Sequence, residues 1–208
     1  MVTKFLINNN EFLSRGPVEA WYSTPYRGFM EPGNPDYLNV LKNPYSKTLN
    51  EDDPADKLLH AVATLRRILQ ADLPLIQRAI GSQLSVACVP RSKANMHESQ
   101  LLFSRTVSEV AANTAELFDS KNAITRIDDT RMTHVPLGTT EAWNHGKAPY
   151  PGITRDTCEI DSQVHDRMLL LVDDIYTPGV NIDEDAIQAL YDEGAHTVFF
   201  YSVAKTGG

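Results

Sequence analysis

The stretch Met168–Asn181, MLLLVDDIYTPGVN, decides how the rest of this chain is read. A run of large apolar residues ends abruptly in two adjacent carboxylates, Asp173 and Asp174. A turn containing Thr177, Pro178 and Gly179 follows, and then a helical segment, Ile182–Glu193. A short apolar run bounded by turn residues suits a strand buried on both faces of a parallel sheet. Ligands of such sheets bind beyond the carboxyl ends of the strands. A turn that enters a helix there offers backbone N–H groups and a positive dipole end to an anion. Carboxylates beside an anion site suit a ligand with both a phosphate and vicinal hydroxyls, and a phosphorylated ribose is the simplest such group.

Working outward, a second strand is expected at Thr197–Val203, after the helix. Strand, helix, strand predicts an α/β fold: a mainly parallel central sheet with helices on both faces. Upstream, Leu58, Leu59, Val62, Leu65, Leu69, Leu73, Ile76 and Ile80 recur at helical spacing, predicting a helix over Pro54–Ser82 with a break at Pro74. Leu84–Val89 reads as a strand, His97–Phe118 as a helix and Ala123–Ile127 as a further strand. Thr130–Gln163 carries no core pattern and is rich in Gly and Pro, so a long loop or extended hairpin is expected; such segments are often functional. Residues 1–53 are broken by Pro, Gly and Asn and interleaved with aromatics. They read as an irregular N-terminal extension pinned by its rings, or as a cap. The division is therefore 1–53 as extension and 54–208 as the α/β domain.

The 208 residues suffice for one good-sized domain, and the 42% hydrophobic and 22% charged content is that of a folded globular protein. A net charge of -8 argues against a nucleic-acid backbone as the main partner, without excluding a local basic pocket. The only cysteines, Cys88 and Cys158, have no metal-binding spacing and form no disulfide framework. The N-terminus lacks a signal-peptide pattern and no apolar run is long enough to span a membrane. A cytoplasmic location is the expectation, and a homodimer or larger complex is compatible with the chain.

A second anion turn is legible at Ala87–Ala94, ACVPRSKA. A strand ends at Val89, and Arg91, Ser92 and Lys93 then bring cations, a hydroxyl and turn amides together before a helix. The long segment beyond residue 130 supplies Arg131, His134, His145, Lys147 and Arg155 as further cations.

The segment Leu169–Gly179 resembles the phosphoribosyl pyrophosphate (PRPP) loop of the type I phosphoribosyltransferases. The resemblance extends from about Leu84 onward and implies that family's fold. It implies that Asp173 and Asp174 hold the ribose 2′- and 3′-hydroxyls and Mg2+, directly or through water or PRPP. The turn of Thr177, Pro178, Gly179, Val180 and Asn181 would cradle the 5′-phosphate, largely through backbone amides. Arg91, Ser92 and Lys93 look like the family's pyrophosphate loop. Lys147, Arg155 and Arg131 fall where its mobile catalytic loop supplies a cation. The implied activity is Mg2+-dependent transfer of phosphoribose from PRPP to a nitrogen acceptor, with release of pyrophosphate. The ending Ala204-Lys205-Thr206 is similar to the competence-protein-F group of amidophosphoribosyltransferase-like proteins, which implies no C-terminal hood and leaves acceptor contacts to residues 1–53. Unlike many of that group, this chain has no cysteine cluster for a zinc ribbon.

Three features depart from the family pattern. Pro178 lacks an N–H donor, Asn181 stands where a Ser or Thr hydroxyl is usual, and Asp183, Glu184 and Asp185 place acids beside an expected phosphate. These keep open a non-catalytic PRPP-binding or nucleotide-binding regulator of the same fold, and a plain scaffold with a structural acid pair. Aspartyl-phosphate enzymes are disfavoured, because their acids need a different spacing and strand order.

Overall fold

The computed structural model describes residues 2–28, 31–42, 54–132 and 144–207. Its strands are β1 (Thr3–Ile7), β2 (Val18–Tyr26), β3 (Leu84–Cys88), β4 (Leu117–Asp119), β5 (Ile124–Arg126), β6 (Cys158–Ile160), β7 (Met168–Tyr176) and β8 (Thr197–Thr206). Its helices are α1 (Asp36–Lys42), α2 (Pro54–Ile80), α3 (Leu102–Ala112) and α4 (Ile182–Asp192). Six strands form one sheet in the order β1-β2-β8-β7-β3-β4. All its pairings are parallel except β1 with β2.

The apolar run of β7 sits in the middle of this sheet, which is why it is hydrophobic at every position. Strand alternation sends Leu170 and Val172 to one face and Leu169 and Leu171 to the other. The first pair joins Leu65, Leu69, Leu73 and Ile76 of α2 and Val107 and Val110 of α3. The second joins Ala186, Ile187 and Leu190 of α4, together with Ile124 and Cys158 of the separate β5–β6 hairpin. Each face of the sheet thus has its own core, as the mainly parallel pattern required.

Several expectations change. Residues 1–53 are not wholly irregular: β1 and β2 belong to the main sheet, with β2 parallel to β8. The segment VEAWYSTPY alternates as a strand should, and its Pro25 lies beyond the last β1 pair, where β2 has a neighbour on one side only. Phe29 and Tyr45, among the aromatics of the segment, lie outside the described residues. α2 runs through Pro74 without a break. The predicted His97–Phe118 helix divides into a 3-10 turn at Glu98–Leu101, then α3, then β4. α3 is capped at Asn113, and Glu116, at φ 63, then turns the chain so that Leu117 enters the sheet. β7 and β8 also extend further than expected, to Tyr176 and Thr206, so the acid pair lies within a strand.

Candidate functional site

Because Asp173 and Asp174 are consecutive residues of a strand, their side chains leave on opposite faces of the sheet. Asp174 turns toward α1, where Lys42 Nζ lies 2.9 Å from its Oδ1. Burial alone would lower the Lys42 ammonium, but the charges of Asp174 and Asp173 outweigh it and hold the group above its ordinary value. Asp173 turns toward α4 and shares a side-chain hydrogen bond with Asp183. Burial, reinforced by the Asp174 charge and opposed by Lys42, pushes the Asp173 carboxyl up to about 7. Asp183 is raised well above the carboxylate range, first by burial and then by Asp173. Asp183 is therefore the partner that keeps the proton and donates to Asp173.

The turn between β7 and α4 explains two of the unusual residues. Val180 N–H donates to the Thr177 carbonyl at 3.1 Å, and Gly179 has φ +84. Proline at the second position and a positive-φ glycine at the third are the signature of a type II turn. Pro178 thus preforms the turn. Asn181 has φ 53 and ψ 0, a left-handed conformation that asparagine tolerates and a β-branched threonine does not. The Val180 amide is engaged inside the turn, whereas the Gly179 and Asn181 amides meet no acceptor among the described residues. A Cβ at Gly179 would meet nothing within 4 Å, so the turn faces open space.

The acidic triplet does not project into that space. Asp183, Glu184 and Asp185 are 2%, 3% and 6% exposed. Glu184 Oε1 accepts from the Tyr176 hydroxyl at 2.9 Å. Asp185 Oδ2 accepts from the Gly152 and Ile153 amides, the latter at 2.8 Å. The expected repulsion of a phosphate is correspondingly reduced: Asp183 is held protonated, and Asp185 is tied to two amides. Gly152 is required at this junction, since a Cβ there would overlap the Pro149 carbonyl oxygen.

The second turn is tied down more tightly than the sequence suggested. The Arg91 guanidinium donates to the carbonyls of Lys42 at 2.7 Å, Gln100 at 3.2 Å and Leu41 at 3.5 Å. It holds the C-terminal carbonyls of α1, a structural task for which a cation is suited. Lys93 pairs with Asp129 at 3.4 Å and donates to the His145 carbonyl. The Ser92 carbonyl accepts from the Thr130 amide at 2.8 Å, which brings the long segment beside this turn. Within that segment Lys147 pairs with Asp128 at 3.0 Å and donates to the Asp156 carbonyl at 2.9 Å. Arg131 and Arg155 are exposed, and His134 lies outside the described residues.

Two residues missed at the sequence level bind these parts together. Lys42 is one. The other is Arg126, whose Nε donates to the Arg91 carbonyl at 2.9 Å and whose Nη1 donates to the Gly152 carbonyl at 2.6 Å. Burial lowers its guanidinium below the ordinary value. Arg126 thereby links the Arg-Ser-Lys turn to the segment that Asp185 anchors on α4. It belongs to a short alternating strand, and an inward Arg there was a signal that could have been read. The N-terminal segment also reaches the site: Asn10 Nδ2 donates to Asn181 Oδ1 at 3.2 Å, and the rings of Phe12 and Tyr150 lie 5.6 Å apart.

Among the described residues no group of three or more His, Cys, Asp or Glu side chains is arranged to hold a metal ion. Mg2+ commonly takes one or two carboxylates and completes its octahedron with substrate phosphates and water. Asp173 and Asp174 fit that chemistry singly. Leaving on opposite faces, they do not form a two-carboxylate clamp.

No protein-family model matches the chain, and no curated protein is significantly similar to it.

Proposed function

We propose that the β7–α4 turn binds PRPP and that the protein transfers its phosphoribosyl group to a nitrogen acceptor. One arrangement carries this reading. A carboxylate pair lies near the C-terminal end of a central parallel strand, two residues before a preformed turn whose free Gly179 and Asn181 amides open a helix. Such amides suit the 5′-phosphate, and a carboxylate beside them suits a ribose hydroxyl.

In the proposed reaction the acceptor nitrogen forms a bond to C1′ of the ribose. The C1′–O bond to pyrophosphate breaks, and its electron pair leaves with the pyrophosphate. The acceptor gives up its N–H proton to solvent. Asp173 and Asp174 would steady the positive charge that develops on the ribosyl group. Ser92 and Lys93, with Lys147, Arg155 or Arg131, would receive the pyrophosphate. Bound Mg2+, held by one carboxylate and the donor, would offset charge on the pyrophosphate. Positioning does most of the remaining work. Lys42 must yield Asp174, or share it, when the ribose binds.

A second reading, a PRPP-binding regulator without turnover, draws its support from Arg91 and Lys147. Both are engaged by the protein's own carbonyls and carboxylates. Calorimetry with PRPP and Mg2+ tests binding, and pyrophosphate release with a panel of nucleobases and amines tests turnover. Saturable binding that is lost in a folded Asp173→Asn/Asp174→Asn variant is expected. Absence of binding at millimolar PRPP would refute both readings, whereas binding without turnover on any acceptor would leave the regulator.

A further inference from the structure

A cavity of about 450 Å3 lies at the end of the sheet opposite the acid pair. Its floor is Ser85 of β3 and Leu169 of β7, the second residue of each strand. Phe118 of β4, Lys121, Asn122, Gln163 and Arg167 line it as well. We propose that this cavity is a second ligand site, for a small molecule that joins a planar ring to a phosphate.

Three features of the lining point to that chemistry. First, Phe118 is 50% exposed. Its neighbour Leu117 faces the α3 core, so strand alternation turns Phe118 to the opposite face, where Ser85 and Leu169 lie. β4 is the last strand of the sheet on this side. An apolar ring held open beside a polar cavity is a stacking platform for a planar group.

Second, Lys121 and Arg167 enter the cavity from two separate segments, one following β4 and one preceding β7. Neither is paired with a carboxylate among the described residues. In a chain of net charge -8, these two unpaired cations offset the two acids of the same cavity, Asp119 and Asp161, and Arg is suited to phosphate.

Third, the cavity's own acids are occupied. Asp119 accepts from the Lys121 amide at 3.0 Å through Oδ1 and from the Ser108 hydroxyl through Oδ2. Asp161 Oδ1 accepts from the Gln163 amide at 2.9 Å. These carboxylates shape the two turns while the cation heads stay available. Asn122 and Gln163 supply side-chain amides for ring edges or hydroxyls. The volume falls in the ordinary range for small-molecule sites, about 300–1,000 Å3.

The site is distinct from the β7–α4 turn and does not depend on the reading given to that turn. Adenosine 5′-monophosphate is a suitable probe, because it carries both halves of the proposed ligand. Titration calorimetry should show saturable binding to the intact protein, with adenosine alone and inorganic phosphate alone each binding at least ~10-fold more weakly. Lys121→Ala/Arg167→Ala should weaken binding by ~10-fold or more, at about tenfold per 1.4 kcal/mol of lost charge-assisted hydrogen bonding. Phe118→Ser should weaken it severalfold. These side chains are exposed, and circular dichroism is the check that each variant is folded. Because adenosine monophosphate also carries the ribose 5′-phosphate proposed for the β7–α4 turn, the titration is repeated in the Asp173→Asn/Asp174→Asn background, where saturable binding sensitive to the cavity variants should remain. No saturable binding up to 10-millimolar order of probe overturns the proposal. So does binding that ignores the cavity variants, or binding abolished only by the acid-pair variant, which would place the nucleotide in the other site.

Discussion

Asp183→Asn should stabilise this protein, and increasingly so as pH rises. Asp183 is almost wholly buried, donates its proton to Asp173 and is held far above the ordinary carboxylate range. The sign follows from linkage. A carboxyl whose pKa is raised by folding binds more protons in the native state than in the unfolded one. It imposes no penalty below the unfolded value near 3.9 and withdraws stability as pH rises from there toward the folded value. One excess native proton corresponds to about 1.4 kcal/mol per pH unit over the window in which the native state holds it and the unfolded state does not. An asparagine amide keeps the shape and the donor to Asp173 but has no proton to hold, so that slope disappears. Asp173, itself raised to about 7, keeps its own slope in both proteins. Urea denaturation followed by circular dichroism should show the smallest difference in midpoint near the unfolded carboxyl value of about 3.9. The variant's lead should widen steadily as pH rises to 7. A difference between the two proteins that does not change with pH would refute the proton-sharing argument. So would a variant that is less stable at pH 7.

Arg91→Met should destabilise the fold by about 2–3 kcal/mol, because the carbonyls at the end of α1 lose a charged donor. If Arg91 acts only through α1, PRPP affinity measured on the folded variant changes by less than a few-fold, and a large loss assigns it to the pyrophosphate instead. Asn181→Thr should cost about 1–2 kcal/mol, since a β-branched residue is placed at positive φ, while Asn181→Gly should stay within a few tenths. Thermal melts of the pair read this directly, and equal melts would mean that the turn relaxes. Asp173→Asn/Asp174→Asn should abolish tight PRPP binding, at about 1.5–3 kcal/mol for each charged hydrogen bond lost. Unchanged affinity in the folded double variant makes the pair structural.

The central α/β unit was legible because its burial is written locally. β7 opens with five apolar residues, α4 carries a helical period, and β8 alternates between apolar residues of two cores. The same periodicity gave α2, whose packing held it together across a proline that local rules would break. The N-terminal strands were hidden by Pro and Asn punctuation. What makes Val18–Tyr26 a sheet strand is its register against β8, and no local pattern states which distant strand will receive it.

At the site, the sequence determined the chemistry of the parts: two adjacent acids, a Pro-Gly turn, a helix and a basic turn. Only the tertiary structure decided which of them remain free. Asp174 meets Lys42, Arg91 meets the end of α1, and Asp183 meets Asp173 across the gap between α4 and β7. Charge type is a property of the residue. Its partner, its burial and therefore its protonation are set by segments that are remote in sequence and are brought together only when the two cores close on the sheet.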